Sequence, residues 1–182
     1  MSDPVSALQG ASFDGFASIR EIGPLGMITL RAKGLNSLDK TIKSVVGTKV
    51  PAHRRIEVNA DRACGWMSPD EYLFVMPYGE VAAALAVLAK SLTGQHYLAV
   101  DVSDARAVFR IEGDKADQVL RKLLPADLDR MKPGELCRTR AAQVPAAVWA
   151  QDSGYTLVCF RSVAGYVMGL LAHSAQSGSE LR

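Results

Sequence analysis

Trp66-Met67-Ser68-Pro69-Asp70-Glu71-Tyr72-Leu73-Phe74-Val75-Met76-Pro77 reads as two strands folded back on each other at Pro69-Asp70. Proline presets φ for a turn and Asp bonds a nearby amide, so this dipeptide punctuates the strands. Gly79 to Leu92 follows as a helix, with Val81, Leu85, Leu88 and Leu92 at near-heptad spacing and Gly94 past its end. The same order returns downstream: Trp66 to Thr93 can be laid on Trp149 to Gln176 without a gap. In that alignment Trp66, Tyr72, Val75, Leu88, Ala89 and Ser91 meet identical residues. The inward helix positions meet Ala164, Met168, Leu171 and Ala175, so the apolar face is kept, and both tryptophans of the chain fall inside the match. The expected fold is therefore α+β, built as duplicated β/α halves with antiparallel sheets and covering helices.

The flanking sequence extends each half. Gly15–Ile22 and Met27–Lys33 alternate apolar and polar residues around Gly23-Pro24-Leu25-Gly26, a hairpin pattern. Ser37 to Val46 reads as a helix capped by Asn36 and closed by Gly47. In the second half, Tyr97–Val102 and Ala105–Glu112 read as strands and Lys115–Leu124 as a helix. A Pro125–Gly134 connector then leads to strands near 137–144, 146–150 and 155–160. The expected organisation is a tail at 1–14, a first half at 15–95, a second half at 96–175 and a polar, disordered tail at 176–182.

Bulk properties exclude several functions. With 182 residues the chain is long enough to bury most of its apolar surface without a metal or disulfide. A net charge of +2 argues against nucleic acid or an anionic membrane as partner. The longest apolar run, Val81 to Ala89, is too short to cross a bilayer. Cys64, Cys137 and Cys159 are odd in number and not closely paired, which argues against a disulfide framework. The expected location is the cytoplasm, since Met1-Ser2-Asp3-Pro4 lacks the character of a signal peptide.

Catalytic patterns are sparse. His53, His96 and His173 belong to no triad or elbow motif and read as surface or boundary residues. No Gly-x-Gly-x-x-Gly or phosphate-binding loop occurs, and Cys and His are too dispersed for a zinc site. Asp101 and Asp104 would face opposite sides of a strand, so a turn in which Asp side chains bond nearby amides suits them better than an acid/base pair. Arg106 and Arg110 share one strand face, available to partner carboxylates or to solvent. Trp66, Met67, Tyr72, Phe74 and Met76 form an aromatic and Met-rich patch, either core or interface anchor.

Three motifs resemble the sarcosine oxidase gamma subunit family, within the folate-binding aminomethyltransferase superfamily. They are Trp66 to Pro77 with its Pro-Asp-Glu turn, Asp101-Val102-Ser103-Asp104 with Arg106 and a strand ending at Gly113, and Phe160-Arg161-Ser162-Val163-Ala164-Gly165-Tyr166 before the last helix. The likeness covers roughly residues 15–175. It implies a fold like the folate-binding region of aminomethyltransferases. It implies a non-catalytic structural subunit of a heterotetramer that oxidatively demethylates sarcosine to glycine, with hydrogen peroxide and either formaldehyde or methylene-tetrahydrofolate as the other products. The implied partners are alpha, beta and delta subunits, which would carry FAD, FMN, NAD, tetrahydrofolate and zinc, leaving this chain with no cofactor of its own. Members of the wider superfamily often have His where Asp104 stands, and the chain is about half their length, so no catalytic, cofactor-binding or metal-ligating residue is carried over. The competing readings are a stand-alone folate-binding one-carbon transfer or repair protein and a homodimeric interaction module.

Overall fold

The computed structural model describes residues 3–151 and 154–181. Its elements run β1 (Ser12–Asp14), β2 (Ser18–Ile22), β3 (Leu25–Ala32), α1 (Leu38–Val46), β4 (Ile56–Asn59), β5 (Arg62–Ser68), β6 (Glu71–Pro77), α2 (Val81–Ser91) and β7 (Tyr97–Asp101). They continue with β8 (Arg106–Glu112), α3 (Ala116–Arg121), β9 (Leu136–Ala141), β10 (Val144–Gln151), β11 (Gly154–Phe160) and α4 (Ala164–Ser174). The chain divides into two compact units: Leu25–Ser103, and the residues up to Pro24 together with those from Asp104 onward.

The Leu25–Ser103 unit is a five-stranded antiparallel sheet in the order β4-β5-β6-β3-β7. Ile28, Leu30, Phe74 and Met76 project from it onto Ile42 and Val46 of α1 and Leu88 of α2. Leu73 and Val75 on the opposite face of β6 are buried too. Burial on both faces explains why Leu73 to Met76 is a continuous apolar run rather than an alternation. Gly47, in the left-handed conformation with φ 72°, ends α1 as the sequence suggests. At the other end Ser37, not Asn36, is the residue before the helix, and the Asn36 N–H bonds the Gln95 side chain instead.

The other unit is a six-stranded antiparallel sheet in the order β1-β2-β8-β11-β10-β9. Its core joins Ile19, Phe109, Val148 and Leu157 of the sheet to Val119 of α3 and Val167 and Leu171 of α4. The repeat seen in the sequence is exact at the level of structure. The shift that carries Trp66 onto Trp149 carries β6 onto β11, the 3-10 turn Tyr78–Glu80 onto Arg161–Val163, and α2 onto α4, end for end. Each sheet also places β3 or β8 beside the last strand of the repeat, with a further strand, β7 or β2, paired on its other side.

That further strand overturns one expectation. β2 and β3 do not form a hairpin; β2 pairs with β8 and β3 with β6 and β7, in different sheets. Gly23, at φ 140°, and Pro24 carry the chain from one sheet to the other. β2 takes beside β8 the place that β7 takes beside β3. The unit boundaries therefore fall at 24/25 and 103/104, where the sequence reading placed 14/15 and 95/96.

The two tails are also more ordered than expected. Residues 12–14 form β1, and the Phe16 N–H bonds Ala175 O at 2.9 Å. At the other end, Leu181 N–H donates to the Gln118 side chain and the Lys122 ammonium to the Ser174 and Ser179 carbonyls. Met1 and Ser2 of the first expected tail and Arg182 of the second lie outside the described residues.

The repeat makes a symmetric prediction. Leu88 and Leu171 occupy equivalent positions and are fully buried. Leu88→Ala and Leu171→Ala should each cost about 2–5 kcal/mol, as cavity-forming core truncations do. Urea denaturation of the two variants checks this; loss at only one site would show that the two helix faces are not equivalent.

Candidate functional site

The Asp101-Val102-Ser103-Asp104 motif begins where β7 ends. The Asp101 carboxylate accepts the Ser103 N–H at 2.9 Å and the Ser103 hydroxyl at 2.5 Å. The Ser103 Oγ in turn accepts the Met27 N–H at 2.9 Å, and the Val102 N–H bonds Met27 O at 2.9 Å. Ser103 is buried. This is an Asx turn that fastens the end of β7 to the start of β3, the role the spacing favoured. Asp101 is committed to that turn and Asp104 stands exposed in the following 3-10 turn, so the two do not form an acid/base pair.

The Phe160–Tyr166 motif lies on the other unit. Arg106 and Phe160 face each other across β8 and β11, with the guanidinium 4.3 Å from the ring centroid. The contact is a cation–π pair on an exposed aromatic. Arg161 donates to the carbonyls of Val5 at 2.9 Å and Ser6 at 3.3 Å. Together with Ala7, Ala105 and Ser162, Phe160 and Arg161 border an open depression of about 600 Å³. Arg110 is engaged with Gln151 O, Thr156 Oγ1 and Glu112 Oε1, so it braces the sheet.

Of the aromatic patch, Phe74 and Met76 are core, while Trp66 stays partly exposed and meets the His53 ring edge-on at 4.4 Å between centroids. His53, His96 and His173 are all exposed and are not brought together in any site that the structure shows. Among the described residues no group of three His, Cys, Asp or Glu is placed to hold a metal ion. His96 lines a groove of about 460 Å³ with Arg31, Lys33, Asp70, Tyr97 and Leu98. In this groove Arg31 pairs with Glu71 at 2.8 Å, and the Ser68 hydroxyl holds the Asp70 carboxyl below its usual range.

One residue escaped the sequence reading. Glu21 is 3% exposed and lies on the same strand face as Ile19. Its carboxylate accepts the Ser6 hydroxyl at 2.8 Å and the N–H groups of Leu8 at 3.0 Å and Gly10 at 2.9 Å. A carboxylate on the apolar face of a strand must find donors. Glu21 finds them in the N-terminal segment, which it folds back over β2. The available signal was the alternation Ala17, Ile19, Glu21, which sets an acid among inward positions.

The sequence and the fold are similar to those of known proteins. The sarcosine oxidase, gamma subunit family matches residues 35–176. The sarcosine oxidase subunit gamma of Arthrobacter sp is 30% identical over 159 residues, covering 83% of this chain and 76% of its own. That of Corynebacterium sp. (strain P-1) is 31% identical over 160 residues with the same coverage. Among solved structures, a chain of the heterotetrameric sarcosine oxidase from Corynebacterium sp. U-96 superposes with a TM-score of 0.80 at 23% identity, covering 90% of this chain and 87% of that one. The aminomethyltransferase T of the glycine cleavage system from Bartonella henselae superposes with a TM-score of 0.69 at 11% identity, covering 90% of this chain but only 47% of that one. No helix among the described residues is long and apolar enough to cross a membrane.

Two measurements test this geometry. Ser103→Ala strands the Met27 N–H and should cost about 1–3 kcal/mol, read by chemical denaturation. Burial pushes the Cys159 thiol up to about 11 and that of Cys64 higher still. Since the thiolate is the nucleophile, both should resist iodoacetamide in the folded chain at mildly alkaline pH and react on unfolding. Mass spectrometry of the alkylated peptides reads the result, and rapid native labelling of either would contradict the buried placement.

Proposed function

The chain belongs to the sarcosine oxidase gamma subunit family, and from that premise we propose that it serves as the gamma subunit of a heterotetrameric sarcosine oxidase, a structural partner rather than a catalyst. The observation that carries this reading is the family match across residues 35–176, a span that takes in all three motifs whole. The geometry of those motifs supports it. Asp101 and Ser103 are spent on fastening β7 to β3, and Arg161 on holding residues 5 and 6. The Ser103 hydroxyl is buried and held between the Asp101 carboxylate and the Met27 N–H, so it serves the backbone.

In this reading the redox chemistry belongs to the larger subunits. Sarcosine loses two electrons and its methyl group, becoming glycine. The methyl carbon leaves as formaldehyde after hydrolysis or is captured on tetrahydrofolate. Oxygen takes up the two electrons and becomes hydrogen peroxide. Alpha, beta and delta partners would carry the flavins, NAD, folate and zinc, and the assembly would work in the cytoplasm. The chain itself contributes surface: the Arg106–Phe160 pair and the depression beside it have the aromatic and arginine character of interface anchors.

The test is to isolate the tagged chain from its own host grown on sarcosine and to record the visible spectrum of the eluate. Larger chains should co-elute with a flavin band. A colourless single chain would overturn the subunit reading, and calorimetric titration with tetrahydrofolate would then examine the chain as a folate-binding protein.

A further inference from the structure

The sheets of the two units end in strands that are protected to different degrees. β1 has only three residues. β4 has four, and its Glu57 is ion-paired to Lys49 at 3.5 Å. β9 presents exposed Arg138 and Arg140. Short length and charge are the usual guards of a sheet edge. β7 has five residues, and its one charged side chain, Asp101, stands at its end and is engaged in the Asx turn; Tyr97-Leu98-Ala99-Val100 is uncharged, and Leu98 and Val100 are 57% and 41% exposed.

The ladder shows which backbone groups β7 leaves open. Val102 N–H bonds Met27 O, and the register pairs Thr29 with Val100 and Arg31 with Leu98. In an antiparallel ladder hydrogen-bonded pairs alternate, so Leu98 and Val100 turn their N–H and C=O groups toward β3. Those of Tyr97, Ala99 and Asp101 point away, on the outer edge. The side chains of Tyr97 and Ala99 pack toward the core, while those of Leu98 and Val100 stand on the opposite face. β7 therefore offers a row of amides beside an uncovered apolar stripe. At its Tyr97 end the groove is lined by Arg31, Lys33, His96 and Asp70, with Arg31 paired to Glu71.

We propose that β7 is a docking edge on which an extended segment of a larger oxidase subunit adds as a further strand. This inference rests on the subunit reading above. The segment would be apolar at alternate positions, to cover Leu98 and Val100, and would carry a carboxylate where it passes Lys33. Backbone pairing supplies affinity, and the stripe and the charge fix register.

The test uses the full chain co-expressed with the other oxidase subunits. Leu98→Lys with Val100→Lys guards the edge in the way natural sheets do. Ala99→Pro removes an outward N–H without touching the β3 ladder. Both should keep the thermal transition of the folded chain and weaken assembly by about tenfold or more. Hydrogen exchange on the wild-type complex needs no variant: the amides of Tyr97, Ala99 and Asp101 should slow on assembly. Folded variants that assemble at wild-type strength, or unchanged exchange at these amides, overturn the docking edge while leaving the subunit reading in place. A wild-type chain that joins no flavoprotein overturns both.

Discussion

The pairing of β2 with β8 is the contact on which the arrangement of this chain depends. β8 is flanked by β11 on one side. Its other side is taken by a strand from the opposite end of the chain. β2 fills the place from Ser18 opposite Glu112 to Ile22 opposite Val108. One unit is thereby closed with residues from both ends of the chain, while the other, Leu25–Ser103, is contiguous. The Glu21 carboxylate then secures the arrangement by drawing residues 6–10 over the added strand.

The same reasoning explains where the motif residues go. Asp101 and Ser103 sit where the chain leaves one unit, and their bonds to each other and to Met27 fasten that exit to the first strand of the unit. Phe160 and Arg161 sit where β11 passes into α4, and Arg161 reaches the carbonyls of residues 5 and 6. Both motifs mark ends of strands at which the fold must be fixed. A chain whose polar signature residues are consumed in this way suits a subunit whose surface, more than any pocket, is its working part.

Much of the fold was legible because its signals are local. Pro69-Asp70, Gly47 and Gly94 mark element ends by backbone conformation alone, and the spacing of Val81, Leu88 and Leu92 needs only the helical period. Repetition strengthened these signals, since Trp66 to Thr93 and Trp149 to Gln176 give the same reading independently. The Asx turn at Asp101 was legible for the same reason, because its donor is two residues away.

The sequence by itself determined the duplicated strand–strand–helix unit, its apolar faces and the turn chemistry at its ends, because each depends on neighbours within a few residues. Only the tertiary structure decided which sheet β2 enters, which tail residues are held, and which edge of each sheet stays open. A strand that alternates as Ala17, Ile19, Glu21 fits any edge with a matching face, so Gly23-Pro24 could equally have turned it back on β3. The choice was made by the partner at Val108 to Glu112, some ninety residues away, and pairing across that distance leaves no periodic trace in the chain.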